Sequence, residues 1–185
     1  MLEQKSINGI DVAGLSMMIE KIKEKPEIAT FRFRTFNTWI NNMNNRAMVK
    51  GFYGAGKEDD TRKKPYIFEE DEPHVLLGGD KGANPVEYLL VALSGCLTTS
   101  LVAHASVRGI DLEEVESTLE GELDIRGFLG ITENVRRGFK EIRVTFKIKS
   151  DAPKEKLLEL IEHAKKRSPV FDMVSNPTPV RVTLE

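Results

Sequence analysis

Two stretches of the chain alternate apolar and polar residues with a period of two. From Val115 to Ile125 the odd positions read Val, Ser, Leu, Gly, Leu, Ile, and the even ones carry Glu116, Thr118, Glu120, Glu122 and Asp124. From Glu141 to Lys149, Ile142, Val144, Phe146 and Ile148 alternate with Arg143, Thr145, Lys147 and Lys149. Such alternation predicts strands with one face buried and one in water. One solvent row is acidic and the other basic, which favours pairing them as a hairpin. Gly127, Gly130 and Gly138 lie in the connection.

Three segments follow a helical period instead. Residues 9 to 25 place Val12, Leu15, Ile19 and Ile22 on one face, and Pro26 ends the run. About 153 to 167, Leu157, Leu160, Ile161 and Ala164 share a face, and Pro169 forces a break at Ser168. The third segment opens at Asn84, with Pro85 in the first turn and Glu87 completing a capping box, and it closes before Gly109. This last helix is apolar nearly all round, through Leu89, Leu90, Val91, Leu93, Leu97, Leu101 and Val102. It therefore needs cover on more than one side, from a sheet and from a second subunit.

The remaining pattern is β-rich. Phe31 and Phe33 alternate with Arg32 and Arg34, and Trp39 leads into the turn-prone run 41–45. Arg46 to Tyr53 reads as the returning strand, Gly54 to Lys64 as a mobile loop, 66–68 as a short strand and 180–184 as a final strand. Strands, a buried helix, a hairpin, a helix and a strand define an α+β class. Residues 1–26 read as a helical arm and residues 27–185 as the main domain.

Composition narrows the function. With 27 basic and 29 acidic residues the net charge is −2, so no overall field points to nucleic acid or anionic lipid. Tyr88 to Val107 is uncharged and of spanning length, but its serines, threonines and His104 argue against a membrane span. The first ten residues do not pattern as a signal peptide, and the single cysteine suits a reducing, cytoplasmic setting. Three scattered histidines give no metal-binding spacing, and no cofactor is implied. Gly78-Gly79-Asp80-Lys81-Gly82 lacks the Gly-Lys-Ser/Thr ending of a phosphate loop and reads as a turn. Cys96, expected to be buried in the middle of the long helix, is the only thiol.

The segment DEPHVLLGGDKGANPVEYLLVALSGC, residues 71 to 96, resembles the signature of the OsmC/Ohr family. RGIDLEEVE (108–116), LDIRGFLG (123–130) and RSPVFDMVSNPTPVRV (167–182) continue the resemblance in order. It implies an OsmC-like fold, with antiparallel sheets wrapped around central helices in an intertwined homodimer. It also implies thiol chemistry, in which one cysteine attacks a hydroperoxide and a second closes a disulfide on the resulting sulfenic acid. Cys96 matches the attacking cysteine, whereas Ser168 stands where the second would be. The family's carboxylate position is Val86 here, and Glu87, one residue later, reads as a cap. Arg46 is the best match to the peroxidases' active-site arginine, with Arg34 the alternative. His74 is a candidate binding residue whose plainer reading is a turn residue. The resemblance thus suggests a single-cysteine hydroperoxide reductase that needs an external thiol. The alternative is a non-catalytic protein holding a small hydrophobic ligand at its dimer interface.

Overall fold

The structure, a computed structural model, describes residues 6–184. The start of the expected N-terminal arm and the last residue of the main domain lie outside the described residues. One compact unit is built on Asp11–Tyr88, and the other on the residues from Leu89 onward, joined by a short segment ending at Ile10.

In the first unit, helix α1 spans Val12–Glu24. Asp11 caps it by accepting from the Gly14 N–H at 2.9 Å, and the helix stops at Lys25, ahead of Pro26. Strands β1 (Ser6–Ile7) and β2 (Ile10–Asp11) form a small hairpin before it in the chain, on residues that up to Ile10 belong to the second unit. A three-stranded antiparallel sheet follows, in the order β3 (Phe36–Asn41), β4 (Asn44–Val49), then the strand Tyr66–Glu70. The asparagine-rich run turns at Asn42, whose φ of +46° suits a residue that tolerates the left-handed region.

Two expectations for this unit need correction. No strand forms over Phe31–Arg34 beyond a single bridge from Arg32 to Tyr53. The rings of Phe31, Phe33 and Phe52 instead pack on one another, with centroids 5.6–6.4 Å apart. Nor is Gly54–Lys64 wholly a loop, because β5 (Phe52–Gly54) and β6 (Lys57–Asp59) pair as a tight hairpin. Its turn residues Ala55 and Gly56 both have positive φ, the geometry that matches strand twist. With the Tyr66–Glu70 strand numbered β7, the loop after it is organised by Asp71. That carboxylate is 1% exposed and accepts from the backbone N–H groups of Glu72, Gly79 and Lys81. Burial pushes the carboxyl up, but the three donors outweigh it and hold Asp71 below the usual carboxylate range. A Cβ at Gly78 would lie 1.8 Å from the Glu72 carbonyl oxygen, and one at Gly82 would lie 2.0 Å from that of Glu69. The glycines are there for close backbone approach, as a packing turn requires.

The second unit holds most of the buried apolar residues. Helix α2 runs Pro85–Val107 and is long and apolar enough, by length and composition, to cross a membrane. Core helices pass the same test, and α2 buries Leu93, Leu97, Leu101, Ala105 and Ser106. Its start is the expected capping box: the Val86 N–H donates to the Asn84 side chain at 2.9 Å, and the Asn84 N–H to Glu87 at 2.8 Å. Strands β8 (Glu114–Glu122) and β9 (Glu141–Lys149) form the expected hairpin, with Val115 opposite Ile148 and Leu119 opposite Val144. On the wet face Lys147 pairs with Glu116 at 2.6 Å, and Arg143 pairs with Glu120. A short helix α3 (Ile125–Phe128) lies in the connection.

Helix α4 (Lys154–Arg167) packs on α2, so that Leu101 and Ala105 meet Leu160 and Ala164 in the core. Phe146 and Ile148 of β9 pack against the same cluster. The side chain of Asn8 closes the unit by donating to Ser106 Oγ and Ile110 O and accepting from the Leu112 N–H. After Ser168 comes a helix that periodicity did not reveal, α5 (Pro169–Ser175). For the expected final strand at 180–184 there is no strand partner among the described residues, and Val182 is 90% exposed.

Leu101 is fully buried at the centre of this cluster. Leu101→Ala is expected to cost about 2–5 kcal/mol in urea unfolding. Glu116→Ala, which breaks only an exposed ion pair, is expected to stay within about 1 kcal/mol.

Candidate active site: Cys96 and Ser168

Cys96 sits midway along α2, one residue before the buried Leu97. It is half-buried in the single chain, on a helix whose remaining cover is expected from a second subunit. The reason is its angular position, which sets it at the margin of the stripe that faces α4.

Ser168 lies at the junction of α4 and α5 and is 2% exposed. Pro169 stops α4 there, and the Ser168 backbone N–H still donates to Ala164 O at 2.9 Å. Its hydroxyl accepts from the Phe171 N–H at 3.1 Å, capping α5, and donates to Cys96 Sγ at 3.1 Å. One oxygen therefore joins the cap of a helix to the only sulfur nucleophile in the chain.

The other residues singled out from the sequence have different partners. Arg46, on β4, binds Glu69 through Nε at 2.6 Å. Arg34 is held by both carboxylate oxygens of Glu58, at 2.7 and 2.8 Å. That hydrogen-bonded pairing raises the guanidinium above its ordinary value and lowers Glu58. His74 Nδ1 lies 3.0 Å from Gly78 O within its own turn. Glu87 is occupied as a cap.

One contact went unnoticed in the sequence. His104 of α2 and His163 of α4 meet edge to face, with ring centroids 4.1 Å apart. Each lies three residues beyond a core leucine, Leu101 and Leu160, and so extends an apolar stripe. That spacing was the available signal. Among the described residues, no three His, Cys, Asp or Glu side chains converge as a metal site.

Beside α5, the helix that Ser168 caps, the second unit has a cavity of about 470 Å³. Its lining includes Leu89 and Leu93 of α2, Phe139, Ile142 and Val144 around β9, and Phe171 of α5, with Arg136 among the polar residues.

Antiparallel sheets and a long helix that carries the lone thiol against a helix junction define an α+β protein. The family model for OsmC-like protein matches residues 78–183, and the chain belongs to that family. An OsmC-like protein from Mycoplasma pneumoniae superposes with a TM-score of 0.62 at 16% identity, over 79% of this chain and 89% of that one. An organic hydroperoxide resistance protein from Elizabethkingia anophelis gives 0.56 at 20% identity, over 80% and 91%. A protein of Legionella pneumophila described as the organic hydroperoxide resistance protein OsmC gives 0.55 at 18%, over 76% and 88%. At these identities the likeness establishes the OsmC-like fold. No curated protein matches the chain in sequence.

The 3.1 Å contact makes a specific expectation of the Ser168→Cys variant. A disulfide needs a sulfur–sulfur separation of about 2.05 Å, within reach of a small side-chain adjustment. Oxidised Ser168→Cys is expected to lose two hydrogens in mass and to show no free thiol after denaturation. Retention of both thiols under those conditions would mean that the two positions are not oriented for bonding.

Proposed function

We propose that this protein is a single-cysteine, thiol-dependent reductase of organic hydroperoxides. The observation that carries the reading is the Cys96–Ser168 contact. The resemblance places the family's two cysteines at these two positions, and here they meet as sulfur and hydroxyl. Family membership and the names of the hydroperoxide resistance proteins that share the fold support the same reading.

In the first step the Cys96 thiolate attacks the terminal peroxide oxygen. A sulfur–oxygen bond forms, the oxygen–oxygen bond breaks, and the alcohol leaves after taking up a proton. Sulfur loses two electrons and the peroxide gains them. Ser168 offers no second sulfur, so an external thiol attacks the sulfenic acid and expels water. A second external thiol then releases Cys96 and leaves as a disulfide. In this reading Ser168 is the residue that hydrogen-bonds to the reacting sulfur. Arg46 is assigned as a catalytic residue and His74 as a binding residue, the first oriented by Glu69 and the second held in its own turn by Gly78.

The assembly belongs to the proposal too. Phe36, Trp39, Tyr66 and Ile67 in the first unit are exposed, as are Val91 and Phe128 in the second. Apolar surface of this kind favours a homodimer in which α2 is a core helix of a soluble, cytoplasmic protein. Residues 1–26 then form an arm on an OsmC-like domain of residues 27–185.

The cavity beside α5 favours a second reading, a non-catalytic protein that holds a small apolar ligand. The two readings separate in one set of measurements on the purified protein. For the enzyme, hydroperoxide consumption with added dithiol is expected to fall to background in Cys96→Ser, and a sulfenate-specific trap is expected to label Cys96 in the wild type. Absence of turnover and of labelling, together with a copurifying ligand in native mass spectrometry, would replace the enzyme with the carrier.

A further inference from the structure

We propose that the face shared by α2 and α4 around His104 and His163 binds an anion, a carboxylate or an inorganic oxyanion. Two half-buried imidazoles meet there at 4.1 Å, one from each helix. Arg108 follows His104 by four residues and Arg167 follows His163 by four, so each helical segment carries a guanidinium one turn from its imidazole. Lys166 adds a further cation. Among the described residues, Arg108, Lys166 and Arg167 have no carboxylate within ion-pair distance.

Four acids on the packed elements are engaged elsewhere. On α4, Glu159 is held by Lys156 at 3.0 Å and Glu162 by Lys165 at 2.9 Å. On the hairpin, Glu116 and Glu120 pair with Lys147 and Arg143. Five basic groups are thus near one another, and among the described residues the three permanent cations have no ion-pair partner. Burial, and then the neighbouring cations, lower both imidazoles from their ordinary value; His104 is also lowered by His163. For a depressed imidazole the sign is clear: protonation opposes the fold as pH drops below about 6.5. A bound anion reverses this, because it stabilises the imidazolium form and pairs with the guanidinium groups. The same cations disfavour a divalent metal, the other ligand a histidine pair could take.

The test uses the full-length protein and inorganic phosphate, followed through the imidazole proton resonances. The chain has three histidines, so His74, in its own turn, serves as an internal reference. Phosphate is expected to shift the resonances of His104 and His163 saturably and to raise their titration midpoints, leaving His74 in place. Arg108→Gln combined with Arg167→Gln is expected to weaken binding about tenfold or more. Lys63→Gln combined with Lys64→Gln removes the same charge elsewhere and is expected to leave binding unchanged. Equal, unsaturating shifts of all three histidines would overturn the proposal. So would a response of the pair to zinc but not to phosphate.

Discussion

The contact between α2 and α4 is the constraint on which the second unit depends. Leu101 and Leu160 supply apolar volume, while Ala105 and Ala164 leave room for the two helices to approach closely. The hairpin adds Phe146 and Ile148 to the same cluster. Everything of chemical interest in this unit is placed by that packing. It sets the end of α4 beside the middle of α2, and Ser168 is carried onto Cys96 as a result. It also brings two histidines into contact that lie 59 positions apart.

Much of this was legible in the sequence because local pattern and tertiary environment agreed. The β8–β9 hairpin was readable twice over, once from its period of two and again from opposite charges on its wet face. The start of α2 was readable from Asn84, Pro85 and Glu87, each of which does in the structure what its chemistry suggests. The break at Ser168 was readable from Pro169. In each case a short-range signal was enough to decide the outcome.

What was not legible depended on partners remote in sequence or on backbone geometry. The β5–β6 hairpin pairs an aromatic strand with a fully charged one across a turn of two residues with positive φ, a backbone pairing that composition does not reveal. The alternation at 180–184 is real, but among the described residues no neighbour pairs with it, and alternation alone makes no strand. The ion pair of Arg46 with Glu69 joins residues 23 positions apart on β4 and β7, a partnership set by strand pairing and not by local pattern. In the single chain only one stripe of the all-round apolar α2 is covered, and Cys96 lies at its margin, because the other cover such a helix needs comes from outside the chain.

The Ser168 hydroxyl serves two masters, a sulfur atom on one side and the first turn of α5 on the other. Any change in the size or charge of the group on that sulfur must be accommodated by an oxygen that also anchors a helix. Phe171, whose amide completes the anchor, is part of the cavity wall. The valence state of one atom and the contour of the neighbouring hollow are therefore mechanically linked.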